Sequence, residues 1–300
     1  MQISVYGGSD ATSVDQVVDR VRAAAGDGFT SIWFPQTMSF DALTALAVAA
    51  HAVPDIRLGT AVVPIQGRHP IPLAQQALTL ADVAGANRVT LGVGVTHKPV
   101  SEAWYGIPYS TVVGLCAEEL EALSGLLSPA RAASVHGTYL TARITLAVKA
   151  PQPGLVLAAL GPKMLALAGR FTDGTVTWMT GAGTLGRDVV PVLREAAADA
   201  ERPDPRVIVG LPVCVTSDLH GARERVGAGM KGAAQLPSYR RMIAAEGVPE
   251  PVDIALVGDE AAVTAHIEAL AAAGATELLA NVVGLPDEVA HTRQFLASFS

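Results

Sequence analysis

The sequence predicts an α/β fold, a (β/α)8 TIM-like barrel with insertion segments, and three observations carry that prediction. Short apolar or β-branched runs alternate with longer helical patterns from one end of the chain to the other, the signature of a parallel α/β sheet. Eight such runs are present and most are continuously apolar, as strands covered on both faces are. Eight strands in 300 residues close into a barrel more readily than they form an open sheet, because closure leaves no edge to protect. The expectation is one barrel domain over residues 1–300.

The predicted strands, each bounded by Gly, Pro or Asp, are 3–6, 31–34, 57–63, 89–93, 155–159, 175–178, 207–215 and 277–282. Behind the first, Val14, Val17, Val18 and Val21 recur at helical spacing, with Ser13 and Gln16 placed as a capping box. Near the end, Val263, Ile267 and Leu270 repeat the pattern behind Asp259, a suitable N-cap. Two segments break the rhythm and are expected to be insertions. In the first, about 128–154, Gly137 with Tyr139, Ile144, Leu146 and Val148 reads as a small hairpin. In the second, about 227–251, a Gly-rich and then Pro-flanked stretch holds Tyr239, Arg240 and Arg241. Each is either a lid or an inert loop.

Composition removes several function classes. Half the residues are hydrophobic and 16% charged, which supports a large core and excludes a disordered chain. With 21 Lys plus Arg against 28 Asp plus Glu, and no basic block, a nucleic-acid partner is not expected. Mean hydropathy is +0.36, yet the longest apolar stretch, 42–53, is interrupted by Thr44 and His51 and falls short of the ~18 residues of a membrane helix. No membrane segment is expected. The two cysteines, Cys116 and Cys214, form no CxxC pair, and residues 1–6 read as a strand rather than a signal peptide, so a reducing cytoplasm is expected.

Searching for self-sufficient motifs returns negatives. There is no Walker A loop, HExxH or GxSxG, and none of the histidines falls at metal-ligand spacing, so no metal is expected. Gly92-Val93-Gly94 ends in His97 where a dinucleotide loop needs glycine, and reads better as the mouth of a barrel strand.

Barrel sites lie at the C-terminal ends of the strands, which directs attention to the turns there. Gln36 follows the second strand, Arg68 and His69 the third, and Gly94 and Thr96-His97-Lys98 the fourth. After the fifth, Ala158-Ala159-Leu160-Gly161-Pro162-Lys163 leads into a helix with proline at N1. Free N–H groups of Gly161, Lys163 and Met164 would suit a phosphate. Thr180-Gly181-Ala182-Gly183-Thr184 repeats the design one strand later. Ordinary βα turns would read the same way.

His97, with an unperturbed imidazole pKa near 6.5, suits proton donation or a positioning hydrogen bond. His69 is the next candidate, or a turn residue before Pro70. Trp104 and Tyr105 could wall a substrate pocket, and Trp178 and Met179 could pack against a ligand or simply the core.

Arg68-His69-Pro70, Leu73-Ala74-Gln75, the run 87–94, and Ala168-Gly169-Arg170 with Asp173-Gly174 together resemble the luciferase-like monooxygenase superfamily, in particular its actinobacterial oxidoreductases dependent on the deazaflavin coenzyme F420. The resemblance implies a TIM-like barrel, usually homodimeric, holding a deazaflavin or flavin at its mouth and acting on a small-molecule substrate. It implies a non-prolyl cis peptide at Ala61–Val62 behind the ring and cofactor phosphate on the backbone amides of 158–161 and 181–183, and Gln36 could then donate to a ring carbonyl.

Departures from the pattern matter too. Relatives that oxidise sugar phosphates carry an acidic residue at His97, an Asp-His pair at Pro35-Gln36 and a lysine at Ala182. Alanine cannot neutralise a phosphate and glutamine cannot shuttle a proton. The expected activity is therefore hydride transfer between F420 and a less charged substrate with an activated C=C, C=N or C=O bond. An FMN-dependent monooxygenase and a non-catalytic flavin-binding barrel remain alternatives.

Overall fold

A computed structural model describes residues 1–299. It begins with β1 (Gln2–Tyr6), α1 (Val14–Gly26), β2 (Ser31–Phe34), α2 (Ala42–Ala52), β3 (Arg57–Thr60), β4 (Val63–Pro64), α3 (Pro70–Ala84) and β5 (Val89–Gly94). α4 (Lys98–Ala103), α5 (Val112–Leu127) and the hairpin β6 (Ala132–His136) and β7 (Thr141–Thr145) precede β8 (Gly154–Ala158), α6 (Pro162–Phe171) and β9 (Gly174–Trp178). α7 (Ala182–Thr184) continues through a π-turn at Leu185–Val189 into α8 (Val190–Asp199), making one helical stretch over 182–199. β10 (Arg206–Val215), α9 (Leu219–Ala234), α10 (Pro237–Glu246), β11 (Leu256–Gly258), α11 (Glu260–Ala272), β12 (Glu277–Val282) and α12 (Pro286–Ala297) complete the chain.

The parallel strands run β1, β2, β3, β5, β8, β9, β10 and β12, and β12 returns to β1, so the barrel is closed. β4 extends the β3 position against β5, and β11 adds to β10 outside the circle. The third strand, expected as one run over 57–63, is split into β3 and β4 by the cis Ala61–Val62 bond. All eight expected strands are present.

Inside the barrel, Trp33, Val156, Val176, Ile208 and Leu279 form their own cluster, separate from the larger layer between strands and helices. Two large rings fit because the neighbouring strand offers glycine. Trp33 pairs with Gly59 and Trp178 with Gly210, and a Cβ on either glycine would fall inside the facing indole. At the opposite end from the mouth, the buried Glu277 carboxylate accepts from Trp33 Nε1 at 2.9 Å and from Arg206 Nη2 at 2.7 Å, tying β2, β10 and β12 together.

The local signals mostly hold. Asp259 caps α11 by accepting from Ala262 N. Ser13 accepts from Gln16 N, but the Gln16 amide oxygen takes Thr12 N rather than Ser13 N, so the expected capping box is displaced by one residue. The first insertion is the β6–β7 hairpin, its turn held to α5 by the Glu118 carboxylate, which accepts from Thr138, Tyr139 and Leu140 N. The second is helical, forming much of α9 and all of α10.

Candidate active site

A cavity of about 430 Å³ opens at the C-terminal mouth of the barrel. One wall is backbone and small side chains: Ala61, Val62, Gly94, Ala158, Ala159 and Gly161, with Met164 at the start of α6. Gly92 and Gly94 let β5 approach this wall, since a Cβ at Gly92 would coincide with the Thr60 carbonyl oxygen and one at Gly94 would press on Val62. The other wall is aromatic, made by Tyr6, Trp178, Tyr109 and Tyr239, with His97 and Gln36 at the rim. Tyr6 and Trp178 lean together with ring centres 5.9 Å apart.

His97 is the N-cap residue of α4 but makes no capping bond, leaving its half-buried ring to the cavity, where it meets the edge of Tyr239 at 5.5 Å. Burial lowers its pKa from the ordinary value of 6.5, so neutral imidazole is favoured at neutral pH. Burial also pushes the phenols of Tyr6 and Tyr239 up to about 12, and that of Tyr109 upward. All three are protonated donors throughout the physiological range. Gln36 accepts from Ala42 N through its amide oxygen, which leaves its NH2 group to the cavity side.

Of the residues singled out from the sequence, Gln36, Ala61, Val62, Gly94, His97, Ala158, Ala159, Gly161 and Met164 share this cavity. His69 does not. It caps α3, Nδ1 taking Ile71 N while Nε2 meets Thr141 O at 3.0 Å, and it lines a separate cavity of about 760 Å³ with Arg68 and Tyr105. That second space is larger, but it lies beside α2 and α3 and reaches the barrel mouth only through Gln36. Lys163 is exposed and off the wall. Thr180, Gly181, Ala182 and Gly183 also lie off it, and the amides of Gly183 and Thr184 are occupied by the Glu246 carboxylate at 2.9 and 2.7 Å. Met179 is in the core with φ +56.

Sequence reading missed Tyr6, Tyr109, Thr177 and Ser238 as wall residues, and placed Tyr239 and Arg241 only in a segment of undecided role. Position at a strand end could have flagged Tyr6. Nothing local could have flagged Arg241, whose guanidinium comes within 3.6 Å of a Cβ built on Gly161.

The closed parallel barrel with a cavity at the C-terminal ends of its strands places the protein in the TIM-barrel class. The chain belongs to the luciferase-like monooxygenase family, whose profile matches residues 1–290. The F420-dependent glucose-6-phosphate dehydrogenase of Beutenbergia cavernae is 31% identical over 73% of this chain and 65% of that protein. Curated relatives at this level are matched over 48 to 65% of their own length. An F420-dependent secondary alcohol dehydrogenase, solved with an F420-acetone adduct, superposes with a TM-score of 0.84 at 19% identity, covering 99% of this chain and 97% of that one. The oxygenating constituent of 3,6-diketocamphane monooxygenase from Pseudomonas putida, solved with FMN, superposes at 0.77 with 19% identity over 99% and 96%. These two likenesses establish the fold. Among the described residues no helix is long and apolar enough to cross a membrane, and no group of metal-ligating side chains is present.

Proposed function

We propose that the protein is a coenzyme F420-dependent oxidoreductase that transfers a hydride between reduced deazaflavin and a small, uncharged organic substrate with an activated C=C, C=N or C=O bond. The observation that carries this reading is the cavity itself, lined by the strand segments at 61–62 and 94 together with four aromatic side chains and one histidine. The wall fits a planar ring, and the volume lies in the range of small-molecule sites. At the other end, a Cβ on Gly161 would meet nothing nearer than Arg241, so this turn has room for a phosphate beside a cation. Thr177 Oγ1, buried and without a hydrogen-bond partner, belongs to a residue lining the same cavity. The family relatives named for F420 support that cofactor over FMN.

Bound there, the deazaflavin would supply the hydride chemistry. The chain's share is to hold and to protonate. Ala61, Val62 and Gly94 would back the ring, and Gly161 and Met164, with Arg241, would take the phosphate. Tyr6, Trp178 and Tyr239 exclude water from the substrate side. We assign to His97 the proton that accompanies the hydride, delivered from a ring nitrogen to the substrate heteroatom or carbon. The tyrosine phenols, neutral at working pH, donate hydrogen bonds to a developing oxyanion without ionising. The cavity's lining includes one cation, Arg241, and no carboxylate, which favours an uncharged substrate over a sugar phosphate. We take the enzyme to be a homodimer, as the family resemblance implies, and cytoplasmic, in line with two buried free cysteines.

Spectral or calorimetric titration with F420 and with FMN tests the assignment. Tighter binding of F420 is expected. Equal or tighter binding of FMN, with oxygen consumed on reduction, would replace it with a monooxygenase. Tight binding without turnover of any substrate would make it a carrier.

A further inference from the structure

Helix α10 crosses one side of the mouth and places Ser238, Tyr239 and Arg241 in the cavity wall, with Tyr239 edge-on to His97. Little in the helix itself explains why it stays there. Of its ten residues only Met242 is fully buried, with Tyr239 and Ile243 packed part-buried against the core, and a segment with so few buried contacts opens easily. Pro237 begins it and Gly247, at φ +76, ends it, so the helix is sharply bounded at both ends.

What fastens it is at its C-terminal end. The last residue, Glu246, reaches 62 and 63 positions back along the chain to accept from Thr184 N at 2.7 Å and Gly183 N at 2.9 Å. Beside it, Arg187 Nη2 donates to Ala245 O at 2.9 Å. The two amides open the helical stretch 182–199, where unpaired N–H groups and the helix dipole favour a carboxylate. The fit is close: a Cβ on Gly181 would overlap the Glu246 carboxyl group.

We propose that Glu246 is a positioning residue for the candidate active site, its carboxylate latching α10 shut so that Tyr239 stays against His97 and shields it from water. This rests on the reading of the mouth cavity as the active site. In the latched state the amides of Gly183 and Thr184 serve the protein's own carboxylate and are not open to a ligand's phosphate.

Hydrogen exchange over 237–247 and NMR titration of the His97 ring, both on the ligand-free protein, test the latch in E246A and E246Q. The groups around His97 are Tyr239 from α10, Tyr6, Tyr109 and Arg241 on the shared cavity, and on α4 Lys98 and Glu102, themselves 4.0 Å apart. None of them is altered by these substitutions. In E246A, exchange over 237–247 should quicken about tenfold to a hundredfold, the usual worth of hydrogen bonds to a charged group. The His97 pKa should rise toward its ordinary value as water reaches the ring. E246Q, whose carbonyl can still accept, should show a smaller change of both kinds. R187A, which removes the bond to Ala245 together with the exposed ion pair of Arg187 and Asp188, should move both readouts in the same direction and decides the matter if E246A does not fold. Unchanged exchange would overturn the latch. Faster exchange with an unmoved His97 titration would reduce Glu246 to a structural contact and overturn the positioning role. Neither readout involves a cofactor, so failure of F420 to bind would sink the proposed activity and leave this test standing.

Discussion

Glu119 offers a test of the core that needs no ligand. It sits on α5 with 1% of its surface exposed, and its Oε1 has no hydrogen-bond partner. Burial pushes its carboxyl pKa from 4.5 up to about 8. The folded protein therefore holds this proton more tightly than the unfolded chain does. Stability from this group is fully present below about pH 4.5 and is lost as pH rises toward 8, above which the loss levels off. At ~1.4 kcal/mol per pKa unit, the loss between pH 5 and 8 comes to about 3 to 4 kcal/mol. Glu119→Gln keeps the shape and cannot ionise, so the variant should gain on the wild type steadily across that window. In thermal unfolding followed by circular dichroism, the gap between the two midpoints should widen by on the order of 5 °C from pH 5 to pH 8. Parallel midpoint curves, with a constant gap at every pH, would show that Glu119 is not protonated in the fold and refute the reasoning.

His97→Ala should cut turnover by about 100-fold to 10,000-fold with little change in cofactor affinity, the usual range for losing a general acid. His97→Gln keeps hydrogen bonding without titrating, so recovery of the rate by Gln, measured in steady-state assays, would leave His97 a positioning role only. With its pKa lowered by burial, the reductive rate should climb as pH falls to a value below 6.5, and a flat profile there speaks against it. Gly92→Ala would set a methyl on the Thr60 carbonyl oxygen and should destabilise the protein by about 1 to 3 kcal/mol or more in chemical denaturation. A neutral result would mean that β3 and β5 are freer to part than their packing implies.

Barrel strands were legible because strands buried on both faces must be apolar throughout, and 89–93 or 207–215 leave no other reading. Turn residues carried much of the mouth cavity for the same local reason: Gly94, His97 and Gly161 sit at or just after strand ends whatever the rest of the chain does. The split of the third strand was not legible from Leu58-Gly59-Thr60-Ala61-Val62 itself, and only the cis bond within it was implied by family resemblance. The helical character of the second insertion, the end of α9 and all of α10, escaped because Gly227, Gly229, Gly232 and Gly247 weaken the helical signal across 227–250, while Met230, Ala234 and Met242, buried in the fold, outweigh it. Glu246 was invisible for a further reason. Its partners lie more than sixty residues away, and no spacing rule links a carboxylate to amides at that distance in sequence.

The knot of Glu277, Trp33 and Arg206 at the foot of the barrel bears on the order of events above it. The Trp33 indole lies inside the barrel with its N–H bound to Glu277, so the bore below the mouth cavity is filled by side chains. On the proposed function, a ring held against the 61–62 wall could come and go only by the open end, past the substrate. The ring would then enter first and leave last, and the release of product would precede any exchange of cofactor.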